Sequence, residues 1–264
     1  MAKLDLDFRR QLQFRLHNLA ARFGIGDRKP VAVRLEGDSY IVTTEGREVI
    51  VPSAMRWKFY RRGWNKRLDR LRRQFGVGDP MTVEPGETVI DVGANVGEFS
   101  LAVAARGARV FAIEGDPKVF ECLTRNIAGV KEITPEQALI WRTEETLTFY
   151  SVPHKADSSI FKPVSDEGVQ AISLPATTLD RFAERHGIES VALLKCDAEG
   201  AEPEVIEGGR DLLSRTRQVA FDTGPERMGQ ETSADVERLL AELGFSVTHE
   251  TRLGRKITFG RRAT

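Results

Sequence analysis

Cysteine is scarce here: the 264 residues hold two, Cys122 and Cys196, far apart and in no C-x-x-C pair. That excludes a disulfide framework and makes a reducing, cytoplasmic setting the expectation. Long apolar runs are missing too, and none approaches the roughly 18–20 residues that a membrane span needs. Charged residues interrupt the N-terminus from Lys3 to Arg15, so no secretory leader is read there. No low-complexity tract or internal repeat stands out. What remains is ordinary globular composition, 41% hydrophobic and 30% charged, at a length that suits one large domain or a domain with a small extension.

Net charge is zero, but unevenly spread. Residues 1–80 hold 18 Lys+Arg against 9 Asp+Glu, whereas the remainder holds 21 against 30. The split suggests two parts with different surfaces, an N-terminal extension over 1–80 and a main domain over 81–264. In the extension, Phe8, Leu12, Leu16, Leu19 and Phe23 recur at helical spacing with arginines between them, which predicts an amphipathic helix over 7–23. Packing on its own domain or pairing in a homodimer is favoured over lying on a membrane surface. Short strands follow between Val31 and Pro52, then a strongly basic helix over Met55–Phe75.

After Pro85 strands and helices alternate, the pattern of a parallel sheet with helices on both faces. The final two strands, FSVTHET and RKITFG, are joined too tightly for a crossover and must form an antiparallel hairpin. The fold class is α/β: a seven-stranded, mostly parallel Rossmann-like sheet with a terminal hairpin, plus an N-terminal α+β extension.

Three motifs carry chemistry. The first runs Asp91-Val92-Gly93-Ala94-Asn95-Val96-Gly97-Glu98-Phe99, between a strand and a helix. Its glycines allow a tight turn and a close approach to a ligand at the helix N-terminus. It departs from the G-x-G-x-x-G of dinucleotide enzymes. An acid such as Asp91 repels phosphate but suits the ammonium of an amino-acid moiety, which favours S-adenosylmethionine (SAM) over NAD. The second is Glu114, followed by Gly115, at the tip of the next strand, where a carboxylate can accept from ribose hydroxyls. Asp116 and Phe120 are candidates for the adenine, as are Gln137 and Ala138 at the end of the third strand. The third is Lys195-Cys196-Asp197-Ala198-Glu199-Gly200-Ala201-Glu202, leaving the fourth strand. Strand alternation puts Lys195 and Asp197 on one face. Such a pair can orient and deprotonate a substrate hydroxyl, with Glu199 in support. His154, in the insertion SVPHKADSSIF, is a further candidate base. Asp197, Glu199 and Asp222 could offer oxygens to a cation, but no metal is assigned.

Together these residues resemble the FkbM family of SAM-dependent methyltransferases, from about Glu87 to Gly209. Ile90-Asp91-x-Gly93-Ala94-Asn95-x-Gly97 matches the family's first signature. Glu114 through Pro117 matches its acidic strand tip, and Thr178-Leu179-Asp180 its helix entry. Lys195-x-Asp197-x-Glu199-Gly200-x-Glu202 matches its most specific element, and Ser158-Ser159 its double serine. A parallel sheet closed by a terminal hairpin is the arrangement of class I methyltransferases. The resemblance implies O-methylation of a hydroxylated small-molecule, sugar or glycan acceptor. Three other readings stand beside it: a nucleic-acid methyltransferase using the basic helix, an NAD(P) oxidoreductase, which Asp91 and Asn95 disfavour, and a non-catalytic scaffold of the same fold. The N/D-P-P-Y/F motif of base amino-methylating enzymes is absent, so a nucleic-acid partner is not expected.

Overall fold

The computed structural model describes residues 6–152, 158–163 and 168–262. The chain enters helix α1 (Phe8–Arg22) through Asp7, whose carboxylate accepts from the Arg10 amide at 2.8 Å. An antiparallel meander follows: β1 (Ala32–Glu36), β2 (Ser39–Thr44) and β3 (Arg47–Val51). The stretch 55–75, expected as one helix, is a 3-10 helix (Ala54–Tyr60) and a separate α2 (Trp64–Gln74). The break falls at Gly63, whose φ of +89° is closed to most side chains.

The apolar stripe of α1 does not pack on its own domain. The helix docks by its opposite face instead. His17 Nε2 meets the Lys29 carbonyl at 2.9 Å, Asn18 bonds both the amide and the carbonyl of Val31, and Phe14 packs edge-on to Trp57 at 5.1 Å. Phe8, Leu12, Leu16, Leu19 and Phe23 are left 47–79% exposed.

The main sheet is built from β4 (Thr88–Val92), β5 (Arg109–Glu114), β6 (Ile133–Gln137), β10 (Val191–Cys196), β11 (Thr216–Asp222), β12 (Phe245–Arg252) and β13 (Arg255–Arg262). Their order is β6-β5-β4-β10-β11-β13-β12. The first five are parallel, while β13 runs antiparallel between β11 and β12. Adjacent residues on a strand point to opposite faces, and both faces are apolar. Val89, Val110 and Leu193 pack towards α2, α3 (Glu98–Ala104) and α4 (Pro117–Asn126). Ile90, Phe111 and Leu194 pack towards α5 (Leu179–Arg185), α6 (Glu202–Glu207), α7 (Arg210–Ser214) and α8 (Ser233–Glu242). Phe75 and Val77, on the N-terminal side of residue 80, join the first of these cores.

Three elements differ from the sequence pattern, which reads a third strand near ITPEQALIW, one helix over 203–216 and a helix cap at Ser233. The third strand splits at Ala138: β6 stays in the main sheet, while β7 (Leu139–Ile140) pairs with β9 (Gln170–Thr177), which in turn pairs with β8 (Glu145–Ser151). The segment 203–216 breaks into α6 and α7 because it passes hard against the chain leaving β7. A Cβ on Gly208 would lie 2.2 Å from the Trp141 carbonyl oxygen. Helix α8 takes Thr232, not Ser233, as its N-cap residue, and the Thr232 hydroxyl is turned to Glu202 at 2.9 Å.

Candidate active site

Strand order reverses between β4 and β10, both of which deliver loops to the carboxyl edge of the sheet, the usual ligand crevice of open α/β folds. A cavity of about 720 Å³, including its open mouth, lies there. Its walls combine the loop after β4 (Gly93, Asn95), the end of β5 (Glu114, Gly115), Ala138, and the turn after β10 (Asp197, Ala198, Glu199). Ile113, Val119, Leu139, Phe149 and Ile160 give an apolar floor.

Gly93 is where the two sides of the crevice meet. Its φ is +70°, and a Cβ would sit 2.0 Å from the Asp197 carbonyl oxygen. Beneath it Asp91 is fully buried, accepting from Ser100 Oγ at 2.6 Å and paired with Lys195 Nζ at 2.9 Å. Lys195 also donates to the carbonyls of Val92 (3.1 Å) and Gly93 (2.7 Å). Burial lowers the ammonium pKa, but the Asp91 and Asp197 charges outweigh it and raise it overall. Thus Asp91 and Lys195 form a charged pin under the glycine loop and are not on the cavity wall. Asp197 is on that wall, since β10 ends at Cys196 and strand parity no longer governs the next residue.

Glu114 faces the cavity with both oxygens oriented, one by the Asn95 amide (2.8 Å) and the other by the Asp116 amide (2.9 Å). Each oxygen keeps a lone pair for a hydroxyl donor. Asp116 itself is buried as the N-cap of α4, taking the Lys118 and Val119 amides and the hydroxyls of Ser151 and Ser158. Ala94 and Phe99 are core residues, and Phe99 packs edge-on to Phe75 at 5.5 Å. Gly97 lies close to Leu123 of α4, and Gln137 is exposed beside the cavity rather than lining it. His154 falls outside the described residues.

The third motif is largely a turn scaffold. Glu202 Oε1 accepts from the amides of Ala198 (3.1 Å) and Gly200 (3.0 Å). Glu199, at φ +50°, receives the Ser159 hydroxyl on its carbonyl at 2.8 Å. The double serine therefore staples the β8–β9 insertion at two points, Ser158 to Asp116 and Ser159 to the Glu199 turn.

Two arginines at the site carry no motif signal. Arg56, from the N-terminal 3-10 helix, is 3% exposed, lines the cavity and donates to Asn95 Oδ1. Arg255 stands at the start of β13, where the hairpin turns above the carboxyl edge. Its guanidinium reaches Asp197 Oδ1 (3.1 Å), Glu226 Oε1 (2.6 Å) and Asp222 Oδ2. Asp197, Asp222 and Glu226 are close enough together to hold a metal ion. The cation they already share is Arg255. Burial, then the charge of Asp197, raises the pKa of both Asp222 and Glu226.

Burial also pushes Glu114 and Glu202 up to about 7. The folded chain then holds these protons at pH values where the unfolded chain has released them, so stability falls as pH rises from about 5 to 8. His17 works the other way, its pKa lowered chiefly by burial, but it is one group against four raised carboxylates. The melting temperature should be lower at pH 8 than at pH 5.5. In Glu202→Gln the stability difference between these two pH values should shrink by up to about 2 kcal/mol, the part of the shift above pH 5.5 at 1.36 kcal/mol per pKa unit. An unchanged drop in that variant would remove Glu202 as a source.

The cavity suits SAM on its own chemistry. Glu114 can accept from ribose hydroxyls, and Arg56 is the one cationic side chain among the described lining residues, too little for a pyrophosphate. The strand order with its antiparallel β13, and a nucleoside-type acid beside a glycine loop at the switch point, define a class I methyltransferase fold. The chain belongs to the FkbM methyltransferase family: residues 91–247, more than half of it, match the Methyltransferase FkbM domain. It is a methyltransferase, and its methyl donor is SAM.

It is similar to the 31-O-demethyl-FK506 methyltransferase FkbM of Streptomyces tacrolimicus, 27% identical over 215 residues, covering 69% of this chain and 80% of that protein. It is similar also to the 2-O-methyltransferase NoeI of Sinorhizobium fredii, 26% identical over 155 residues, covering 52% of this chain and 63% of the other. A third relative, the AMB antimetabolite synthetase AmbE of Pseudomonas aeruginosa, is 29% identical over 211 residues. That match takes in 64% of this chain but only 10% of the synthetase.

Proposed function

We propose that the protein transfers the SAM methyl group to a hydroxyl oxygen of a sugar, glycan or secondary-metabolite acceptor. The observation that carries this is Asp197, a carboxylate on the cavity wall just past β10, fixed by Arg255 and by its own amide, which bonds the Val92 carbonyl at 3.1 Å. Two relatives whose names specify an oxygen as the methylated atom, FkbM and NoeI, support the same reading.

Bound in the cavity, the cofactor supplies an electrophilic methyl on a sulfonium sulfur. Asp197 receives the acceptor O–H. Asp197 would take the hydroxyl proton as the acceptor oxygen gains the methyl group that the bound cofactor would supply, S-adenosylhomocysteine being the other product. Arg255 orients Asp197, Glu114 holds ribose hydroxyls, and the Lys195–Asp91 pin fixes the glycine loop. Glu199 adds negative charge on the same wall.

The test starts with calorimetry using SAM, S-adenosylhomocysteine and NAD, followed by mass spectrometry of hydroxylated acceptors incubated with enzyme and SAM. Micromolar binding of the first two ligands, none of NAD, and a gain of one CH₂ on an acceptor oxygen are expected. Methylation at nitrogen or carbon would overturn the O-directed reading and leave the cofactor site intact.

A further inference from the structure

The exposed stripe of α1 is the largest feature that methyl transfer leaves unused. At 3.6 residues per turn, Phe8, Leu19, Leu12, Phe23 and Leu16 fall within an arc of about 80° along a helix about 22 Å long. Arg15 and Arg22 flank that arc on one side and Arg9 on the other. Ile25, just past the helix, adds another exposed apolar side chain. The helix contains no Asp or Glu, and its capping Asp7 is paired with Arg10. Among the described residues, Arg9, Arg15 and Arg22 make no ion pair.

We propose that α1 is a docking face for an anionic lipid surface, seating its apolar stripe among acyl chains with the flanking guanidiniums at the headgroups. Charge selects this occupant over a second copy of the chain. Pairing α1 with α1 would set the arginine flanks of two helices together with no carboxylate in either helix to meet them. Seating α1 on another face of a second copy needs a matching apolar patch. Outside residues 8–59 the exposed large apolar side chains are Met228 and Leu253 alone, among the described residues. An exposed apolar stripe flanked by guanidiniums, on a helix with no acidic residue, is what an anionic interface binds. No residue of the stripe lines the cavity, so docking decides where the enzyme works and leaves its turnover on soluble acceptors unchanged.

Co-sedimentation of the full chain with vesicles tests this. One set is pure phosphatidylcholine, the other roughly seven parts phosphatidylcholine to three of phosphatidylglycerol. Binding to the anionic set should exceed binding to the neutral set by at least about tenfold, and should weaken as salt is raised. Leu12→Ser/Phe23→Ser should abolish it by removing the apolar anchor, and Arg9→Gln/Arg15→Gln/Arg22→Gln by removing the charge. All five positions are solvent-facing, so melting temperature and SAM affinity should stay at wild-type values. Equal binding to both vesicle sets, or none to either, overturns the proposal. A concentration-dependent dimer that Leu12→Ser/Phe23→Ser dissolves would assign the stripe to a second copy instead.

Discussion

Asp197→Asn is expected to lower turnover by about 10²- to 10⁴-fold, the usual worth of a positioned general base. SAM affinity should move by less than about tenfold, since single polar contacts rarely carry more than 1.4 kcal/mol of net binding. Asparagine keeps the size of the side chain and an oxygen for Arg255 Nη2, but it cannot accept the acceptor proton. The side chain is 22% exposed at the end of a strand, so the fold does not depend on it. Single-turnover rates under saturating SAM, with calorimetry on the same sample, separate the two effects. Wild-type turnover in the variant would remove Asp197 from the proton path. A parallel loss of SAM binding would make it a cofactor residue.

The contrast between Asp197 and Lys195 shows how far the sequence could be read. Both belong to one motif, and alternation along a strand assigns them the same face. The rule holds only while the chain is a strand. Lys195 lies inside β10, pointing beneath the glycine loop with Phe75 5.1 Å from its ammonium. Asp197 lies beyond the last strand residue and turns into the cavity. Motif spacing located the turn but did not divide its charges into those that build it, such as Glu202, and those that face the ligand. Ser158 and Ser159 were legible as a pair, and only the structure gives each its own anchor.

Arg56 and Arg255 were missed for different reasons. Arg56 sits in a basic run where every arginine looks like a solvated one. Nothing in its spacing tells that this one, 3% exposed, reaches from the 3-10 helix to Asn95 in the loop after β4. Arg255 did leave a trace. A hairpin whose second strand runs antiparallel to β11 must place its turn at the carboxyl edge of the sheet, where the cavity lies. Asp222 pairs in register with Ile257, two residues after Arg255. Combining that topology with the carboxylates at the ends of β10 and β11 brings a guanidinium to them. The helix α1 was legible as a helix from its periodicity, but its direction was not. An apolar stripe says which residues want to leave water, not what they meet.

The largest binding defect should come from Gly93→Ala, the addition of one carbon. The methyl group would occupy a point 2.0 Å from the Asp197 carbonyl oxygen, well inside van der Waals contact, and that oxygen belongs to the backbone. The loop must therefore retreat from β10. Retreat breaks the 2.7 Å bond from Lys195 to the Gly93 carbonyl and opens the junction on which Asn95 and Glu114 are aligned. SAM affinity should fall by more than about 100-fold, the loss of some 2.8 kcal/mol at 1.4 kcal/mol per decade. Part of any effect is the backbone cost of alanine at positive φ, about 1–2 kcal/mol. Gly46→Ala isolates that part: its φ is +75°, close to the +70° of Gly93, and nothing lies within 4 Å of the added carbon. Gly46→Ala should lose about 1–2 kcal/mol of stability and bind SAM as the wild type does. If the two variants bind SAM equally well, close contact between Gly93 and Asp197 is not what shapes the cofactor site.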